Sequence, residues 1–405
     1  MRRRFATLAL LAASAPTAAL ASPQDLFGYG ARYAALGGTG AAYADDYGAV
    51  HANPAGASRV RERALTFGYA ATGFELERDG AYFPADAGSA TVIGASFLVP
   101  FGGALRERVG VALGFFTPTN VIVRGRILRA DTPQWVVLPD RVQSVALQLA
   151  VGLDLGYGFR VGGGFTALAA LRGNVLVTND ATGRSTTRID NQLIATYAPV
   201  VGASWERGDW RVGVTFRGEL LARFTVLISA PELGLPIPTL NVAGLAQYDP
   251  AQLQVEAAWQ RRGWTLAVGV TGKRWSEYPG QSEPTSPSSP PPPAPEFGDT
   301  LVPRVGVEHR WALPSNAQVT ARGGWFYEPS PAPTPTPARQ WMDNDRHAIT
   351  LGLGAGITGA GSRFTLDAWG QLHVLARREG LDPHGATTSF GGMLWHLGVA
   401  ATVTF

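Results

Sequence analysis

Alternation of apolar and polar residues runs through most of the chain after residue 63, and no other feature limits the possible fold so strongly. In the segment Gln252–Gln260 every second residue is apolar, and Gln, Glu or Ala lies between them. The same period of two recurs in the segments 210–218, 317–325 and 350–358. This period is that of a β-strand with two unlike faces. The sequence therefore predicts an all-β protein.

About fourteen such segments can be placed along the chain. They lie near Ala64–Glu77, Thr91–Pro100, Arg108–Val123, Ser144–Leu155, Phe159–Val177, Gln192–Glu206, Trp210–Phe224, Gln252–Arg261, Trp264–Trp275, Arg304–Trp311, Ala317–Tyr327, His347–Thr358, Arg363–Ala376 and Gly392–Phe405. Short connections alternate with long ones, as expected for short periplasmic turns and long outer loops. An even strand count then predicts both termini in the periplasm.

The first 21 residues carry the features of a secretory signal peptide. A basic start at Arg2–Arg4 precedes the apolar run Phe5–Ala13 and the cleavage motif Ala19–Ala21. We expect the mature chain to begin at Ser22. The sequence contains no Cys, so we expect neither a lipid anchor nor disulfide bonds.

No apolar run of eighteen residues follows the signal, so the sequence predicts no helical membrane span. A secreted, Gly-rich and aromatic-rich chain of this kind favours a closed transmembrane antiparallel β-barrel of about fourteen strands, because no backbone donor can face lipid unpaired. A soluble β-sandwich would alternate in the same way. Trp residues at the strand ends resemble an aromatic girdle and favour the barrel in a Gram-negative type of cell outer membrane.

The charge of the chain argues against a nucleic-acid partner. The formal charge of +3 arises from the three Arg of the signal, and the rest holds 31 basic and 31 acidic residues. The last strand is amphipathic and ends on Phe405. This pattern resembles the signal read by the outer-membrane assembly machinery. We expect that machinery, outer-membrane lipid and lipopolysaccharide as partners, and a monomeric protein.

The segment before the first strand, residues 22–63, has neither a period of two nor a good helical period. Its Gly37–Ala57 part is rich in Gly and Ala. A segment so small and flexible, placed before a barrel, is suited to fold inside the bore. The predicted organisation is a signal peptide (1–21), a hatch or plug (22–63) and an outer-membrane barrel (64–405).

Several blocks of the sequence resemble the FadL/TodX family of outer-membrane transporters for fatty acids and hydrocarbons. They are the run GYGARYAALGGTGAAYADDYGAVHANPAGAS at residues 28–58, Trp264–Leu266, Arg274–Tyr278, Pro303–His309 and Asp343–His347. Residues 91–260 match mainly in pattern. The resemblance implies a fourteen-stranded barrel, an N-terminal hatch and uptake of hydrophobic molecules without an energy source.

The resemblance also suggests roles for residues in the hatch. Asn53, Pro54 and Ala55 resemble the family's hatch motif, in which the Asn amide can bond strand backbone inside the bore. A plain turn between hatch and barrel is the alternative. Asp45 and Asp46 are expected to pair with Arg side chains in the bore, either as structural ion pairs or beside a ligand.

Two further segments are candidates for the entry and the exit of a hydrophobic ligand. The apolar segment 226–245 falls in a predicted outer loop, and its candidate groove residues are Leu227, Ile228, Leu233, Leu235, Ile237 and Leu240. A helix or hairpin packed on the rim is the alternative. Thr117, Pro118 and Thr119 lie in the third predicted strand, where Pro marks a bend. The resemblance implies a lateral gap there, and an ordinary strand end is the alternative.

Four arginines fall on the inward side by strand parity: Arg211, Arg217, Arg304 and Arg322. A guanidinium can bind a ligand carboxylate with two parallel hydrogen bonds, so they are candidate carboxylate partners. Their alternative role is to balance acids within the bore.

Nothing in the sequence indicates an enzyme. The six His are scattered without metal-ligand spacing, and no G-x-S-x-G occurs. We expect no metal and no cofactor. The predicted function is passive uptake of long-chain fatty acids or other hydrophobic small molecules through an outer-loop groove, past the hatch, with lateral release. A structural or adhesive barrel with a permanently closed plug, and a porin for polar solutes, are the alternatives.

Overall fold

The computed structural model describes residues 23–119, 129–138, 145–179, 185–229, 240–280, 292–314, 316–359 and 361–405. The predicted signal peptide, 1–21, lies outside these residues. The strands are β1 Ala64–Arg78, β2 Ala81–Phe83, β3 Gly88–Leu98, β4 Val109–Pro118, β5 Gln134–Trp135, β6 Ala146–Gly156, β7 Phe159–Asn179, β8 Ser185–Arg207, β9 Trp210–Arg217, β10 Leu220–Ser229, β11 Leu240–Asp249, β12 Gln252–Arg261, β13 Trp264–Lys273, β14 Thr300–Leu313, β15 Ala317–Glu328, β16 Trp341–Met342, β17 Arg346–Gly359, β18 Ser362–Leu381 and β19 Thr387–Thr404.

Fourteen of the strands in the described residues form one antiparallel ring, in chain order β1, β3, β4, β6, β7, β8, β9, β12, β13, β14, β15, β17, β18 and β19. The ring closes where β19 pairs with β1, from Ala64 opposite Thr404 to Arg78 opposite Phe390. Closure gives every ring strand a partner on both sides and excludes two stacked sheets. The predicted fourteen-stranded barrel is confirmed.

The sequence prediction was wrong at the end of β9. The predicted strand 210–224 is divided: β9 ends at Arg217, and β10 begins at Leu220 and forms a hairpin with β11. The apolar segment 226–245 is therefore partly strand rather than loop. β10 leaves the ring and pairs in parallel with the far part of β7. Apolar alternation continues across Gly218, so no period change marks the boundary.

The outward face of the ring is apolar and the inward face is polar. On β12, Leu253 and Val255 are 49% and 40% exposed, whereas Gln254 and Glu256 are 0% and 1% exposed. Exposed apolar side chains continue around the ring, among them Leu147, Val151, Val212, Leu266, Val268, Val305, Leu351, Leu353, Leu366 and Val399. Exposed aromatic side chains lie beside the short turns: Tyr157, Phe159, Trp210, Trp264 and Trp311. This pattern is typical of a barrel wall in contact with lipid.

The N-terminal segment, residues 23–63, contains three short helices, α1 Pro23–Phe27, α2 Ala31–Ala35 and α3 Ala49–Ala52, and a 3-10 helix, Pro54–Arg59. Among the described residues no helix has both the length and the apolarity needed to cross a membrane. Most of the segment is buried against inward-facing residues of the ring. A Cβ at Gly213 would lie 2.0 Å from the Ala41 carbonyl oxygen, and one at Gly324 would lie 2.3 Å from the Gly37 nitrogen. Glycine at these positions allows this close approach.

Candidate functional site

The interior of the ring has two ends with different surroundings. We call the end with the short connections, where Ala64 and Phe405 lie, the turn end. We call the opposite end, with the long connections, the loop end. The N-terminal segment contacts the ring strands between them.

Asn53 joins the N-terminal segment to the ring. Its side chain is fully buried, and its amide nitrogen donates hydrogen bonds to the carbonyl oxygens of Ala41 (2.6 Å) and Ala203 (3.0 Å). Its amide oxygen accepts from the Ala55 nitrogen (3.0 Å), which caps the 3-10 helix that begins at Pro54. One side chain thus fixes both the start of that helix and its position against β8.

A carboxylate from the ring provides a second attachment. Glu256 on β12 is 1% exposed, and it accepts hydrogen bonds from the backbone nitrogens of Gly40 (2.8 Å) and Ala42 (3.1 Å). Sequence reasoning missed this residue, because its role depends on the register of β12 against a segment more than 200 positions away.

The two acids of the N-terminal segment have different partners. Asp45 forms an ion pair with Arg32 (2.7 Å), which belongs to the same segment, and Asp46 accepts from the Gly48 nitrogen (2.7 Å). Burial works to raise the pKa of both carboxyls. For Asp45 the combined charges of Arg32, Arg310 and Arg59 outweigh burial and lower its pKa, whereas burial and the charge of Asp45 together raise the pKa of Asp46.

Arg32 also links the N-terminal segment to a charged network on the ring. It donates two hydrogen bonds to Glu308 (2.9 and 2.8 Å), which is 0% exposed. Arg310 and Arg322 approach the same carboxylate at 3.0 and 2.9 Å, and Arg322 also pairs with Asp367 (2.5 Å). One buried carboxylate therefore neutralises parts of three guanidinium groups.

The four candidate carboxylate partners fall into two classes. All four lie on inward-facing strand positions, and two have acids beside them. Arg322 pairs with Glu308 and Asp367, and Arg211 lies 3.7 Å from Glu206. These two balance acids within the bore.

Arg217 and Arg304 have no ion pair within the described part of the chain. Arg217 donates to the His51 carbonyl oxygen (2.9 Å) and to Gln252 (3.0 Å). Arg304 donates to the Gly37 carbonyl oxygen (3.2 Å) and lies over the ring of Phe326 at 4.7 Å. Both are 8% exposed. The direct partners of both guanidinium groups are thus neutral, which leaves them the two of the four candidates without a carboxylate in contact among the described residues.

A polar cavity of about 420 Å³ lies at the turn end. Its lining includes Arg32, Asp45, Arg59, Arg310, Arg322 and Asp367. An apolar solute gains little by entering such a space, because the charged groups would lose water without gaining hydrogen bonds.

The loop end contains a large apolar cluster of buried side chains. This loop-end cluster comprises Leu26, Phe27, Phe74, Leu76, Trp135, Val136, Val137, Leu138, Leu221, Ala222, Leu245, Tyr248, Trp275, Tyr278, Phe297, Ala332, Trp341, Met342, Leu375, Phe390 and Leu394. Several of its aromatic rings are in contact; Tyr278 and Phe297 stack at 4.5 Å. The cluster joins the N-terminal helix α1 to side chains of the ring and of the long connections.

A group of four buried charges, which we call the α1 anchor, holds α1 beside the loop-end cluster. Lys273 forms ion pairs with Asp25 of α1 (3.0 Å) and with Glu328 (2.7 Å), and Arg346 pairs with Glu328 (2.6 Å). Gln252 also donates to Asp25. Sequence reasoning missed the anchor, although Lys273 is the only lysine in the sequence. That rarity was the one available signal.

The candidate gap residues lie at a strand end. Pro118 is the last residue of β4 and is opposite Ala90, and the Thr119 nitrogen donates to the Ser89 carbonyl oxygen (2.9 Å). Thr117 precedes them on β4. Among the described residues, the last pair of β4 with β6 is Phe116 opposite Ala146. The predicted continuation to residue 123 lies outside the described residues, and the lateral gap stays a prediction.

The candidate groove residues are only partly described. Leu227 lies on β10 and is 40% exposed. Ile228 lies on β10 and Leu240 on β11, where only their backbone is described. Leu233, Leu235 and Ile237 lie outside the described residues, and ligand capture here stays a prediction. The described residues hold no group of three or more His, Asp or Glu suited to bind a metal.

Comparison with solved structures finds the same fold in a FadL homologue and in toluene transporters. A Pseudomonas aeruginosa FadL homologue matches over 96% of this chain and 98% of its own, with 14% identity and a TM-score of 0.60. The P. putida toluene transporter TodX matches over 94% and 99%, with 13% identity and a TM-score of 0.54. The Ralstonia pickettii toluene transporter TbuX matches over 94% and 99%, with 16% identity and a TM-score of 0.54.

These similarities concern the fold. No protein-family model matches the sequence, and no curated protein matches it. At such low identity the fold resemblance to FadL and TodX is confirmed, and the ligand has to be argued from this chain's own residues.

Proposed function

We propose that this protein is an outer-membrane channel for the passive uptake of hydrophobic compounds such as long-chain fatty acids, with residues 23–63 as its hatch. The observation that carries the proposal is the division of the interior. The loop-end cluster is apolar, the turn-end cavity is charged, and the N-terminal segment lies between them. A porin for polar solutes would need an open, polar path instead. The neighbouring folds, a FadL homologue and two toluene transporters, agree with this proposal.

The outward face of the barrel and its short connections support a position across the outer membrane. The outward face of the ring is apolar, and aromatic side chains lie beside the short turns. We propose that the turn end faces the periplasm with both termini. The N-terminal basic and apolar run then directs export, and the hairpin β10–β11 lies on the outer side.

The proposed route begins at the apolar segment 226–245 and enters the loop-end cluster. Transfer of each methylene group of the solute from water into this cluster is favourable by about 0.8 kcal/mol. Passage straight down would bring the solute to the charged turn-end cavity, where that gain is lost. Lateral release into lipid keeps the solute in apolar surroundings. The end of β4 at Thr117, Pro118 and Thr119, beyond the last β4–β6 pair, is the proposed exit.

The second candidate is a structural or adhesive barrel whose hatch never opens. The dense bonding of the N-terminal segment by Asn53, Glu256 and Glu308 favours it. In that case the sequence offers two Pro-rich stretches as the adhesive surface, 279–295, of which 281–291 lie outside the described residues, and 329–337.

Uptake measurements separate the two candidates. Cells with and without the protein are supplied with radiolabelled oleate and with radiolabelled toluene. The channel predicts faster uptake of at least one compound when the protein is present. Replacement of Asn53, Pro54 and Ala55 should change that uptake, whereas replacement of the exposed Asp209 in a short turn should not. Equal uptake with and without the protein, and in the hatch variant, would leave only the structural candidate.

A further inference from the structure

The outward face of the ring has an apolar groove across β9, β12, β13 and β14, which we call the wall groove. It has a volume of about 620 Å³ and is open on one side. Its large lining side chains are Trp210, Trp259, Leu266, Val268, Val305 and Val307. Ligand pockets in proteins commonly measure about 300–1,000 Å³, so the wall groove has room for an apolar chain.

Small residues produce the wall groove. Ala257 lies on the outward face of β12, where most neighbouring positions hold larger side chains. Trp210 and Trp259, opposite each other on β9 and β12, stand beside it. Gly306 also belongs to the lining, and it adds no side chain there, because a Cβ at this position would point inward and lie 2.3 Å from Thr39 Oγ1. The hollow is therefore a consequence of the residues chosen for this part of the wall.

The wall groove begins beside the turn end. Arg261 is the last residue of β12 and falls on the same outward face as Trp259 and Ala257. Ala257 is four residues away from Arg261, which corresponds to about 13 Å along a strand. Half of the hydrocarbon layer of a bilayer is about 15 Å thick. The wall groove therefore lies at the depth of the acyl chains in the leaflet on the side of the turn end.

Two adjacent short turns place positive charge at the mouth of the wall groove. The turn between β8 and β9 contributes Arg207 and Asp209, and the turn between β12 and β13 contributes Arg261 and Arg262. The turns touch, since the Gln260 nitrogen donates to the Asp209 carbonyl oxygen (2.8 Å). The three arginines are exposed, and Asp209 lies 3.6 Å from Arg261. Three arginines and one aspartate leave an excess of two positive charges.

Aromatic side chains border the same mouth. Trp264 follows the second turn, and its ring packs on that of His309 at 4.1 Å. Trp210 follows the first turn and is 60% exposed. Tryptophan favours the interface between lipid and water, because its ring is apolar and its N–H is a hydrogen-bond donor. These rings mark the level at which lipid headgroups meet acyl chains.

An anionic phospholipid matches this combination of groups. A groove of apolar side chains alone would accept an acyl chain of any lipid. Guanidinium groups bind phosphate oxygens with charge-assisted hydrogen bonds, and an excess of positive charge favours a headgroup with a net negative charge. The groups lie in the order that such a lipid requires, with the cations at the rim and the apolar hollow deeper in the leaflet.

We propose that the wall groove and the arginines at its mouth bind one anionic phospholipid of the leaflet on the side of the turn end. Its phosphate lies against Arg207, Arg261 and Arg262, and one acyl chain lies in the wall groove. The inference requires that the ring crosses a bilayer, and it does not depend on solute uptake.

Native mass spectrometry of the purified full chain tests the headgroup. Phosphatidylglycerol and phosphatidylethanolamine with identical acyl chains are titrated separately, and one phosphatidylglycerol should be retained more tightly. Arg261→Gln with Arg262→Gln should weaken its retention about 25-fold, because each arginine beside an anionic lipid contributes about fivefold. Arg106→Gln, an exposed position in the connection before β4, is the control and should change nothing. Equal retention of the two lipids by the wild type would overturn the proposal.

Filling the wall groove tests the acyl chain. Ala257→Phe should weaken retention of both lipids about tenfold, since about two methylene groups lose their place. Ala355→Phe, at an exposed outward position of β17, is the matched control. Glycerol 3-phosphate, which has the headgroup phosphate without acyl chains, should not bind. Unchanged retention in Ala257→Phe, or binding of glycerol 3-phosphate as tight as that of the lipid, would overturn the assigned position.

Photolabelling of the wild type keeps the proposal testable if a variant folds poorly. Phosphatidylglycerol with a diazirine in one acyl chain should label residues 257–268 and 305–307, and an excess of unlabelled phosphatidylglycerol should suppress this labelling. Labelling of residues 349–355 on β17 should not be suppressed. Uniform labelling without competition would mean ordinary lipid contact only. A lipid-free dimer that Ala257→Phe abolishes would instead assign the wall groove to a second copy of the chain, and either result overturns the proposal.

Discussion

The two ends of the interior hold the same N-terminal segment by opposite means. At the turn end, Arg32 ties it to the charged network around Glu308. At the loop end, Leu26 and Phe27 join an apolar cluster, with the α1 anchor as its charged border. An apolar solute can replace apolar side chains at the loop end, but it cannot replace the ion pairs at the turn end. We therefore expect the segment to move first at the loop end and to stay attached at the turn end.

The largest expected effect comes from breaking the turn-end network. Glu308→Ala leaves the buried Arg32 and Arg322 and the partly exposed Arg310 beside one another without their shared carboxylate. Breaking a buried pair of this kind costs about 3–5 kcal/mol. We expect the N-terminal segment to detach, seen as protease cleavage within residues 23–63 and as ion conductance in planar bilayers. Glu308→Asp, which keeps the charge, serves as the control. Wild-type resistance to protease in Glu308→Ala would contradict the role given to the network.

The loop end should also make the stability of the protein depend on pH. Burial raises the pKa of Asp343, in the connection before β17, to about 6, although Arg346 opposes the shift. The folded state then holds the proton more tightly than the unfolded chain. Stability is therefore lost as pH rises from about 4 to about 6, by about 3 kcal/mol.

Asp343→Asn should remove this loss of stability at higher pH, because an amide does not ionise. Chemical denaturation in detergent at pH 4 and pH 8 measures it, and the variant should gain relative to the wild type only at pH 8. The same gain at both pH values would show that the carboxyl of Asp343 does not carry the effect.

The smallest effect in this series tests the close packing between the segment and the ring. Gly213→Ala adds a methyl group that would overlap the Ala41 carbonyl oxygen, and the overpacking should cost about 1–3 kcal/mol. Gly163→Ala on β7 is the matched control, because nothing lies within 4 Å of its added Cβ. Equal unfolding midpoints for the two variants would place the segment away from β9.

The barrel was largely predictable from the sequence because the wall has the same physical requirement at every second residue. Apolar side chains face outward and polar or small ones inward, so β12 was predicted at its observed bounds. The end of β9 was not predictable, because the alternation of the wall continues into β10. A departure from the ring changes the partner of a strand without changing its period.

The site was less predictable because its contacts depend on register between distant segments. Arg217 and Arg304 were assigned to the bore by parity. That no carboxylate of the described residues forms an ion pair with them could not be read from the sequence. Asp25 and Lys273 are 248 positions apart and meet only after the ring has closed. The motif at Asn53 was recognisable, whereas its partner Ala203 has no feature in its side chain that could reveal the contact, since the contact is to its backbone.

Transport through the purified protein in lipid vesicles tests whether hydrophobic compounds pass the N-terminal segment at the loop end. A variant with Asp25→Cys and Lys273→Cys is compared before and after its two thiols are bridged by a short reducible cross-linker and again after reduction, with radiolabelled dodecanoate as the solute. We expect transport before cross-linking, the rate of protein-free vesicles when the cross-link holds α1 in place, and recovery after reduction. Equal transport by the locked and the reduced protein would contradict the claim that hydrophobic compounds pass only when the N-terminal segment yields at the loop end.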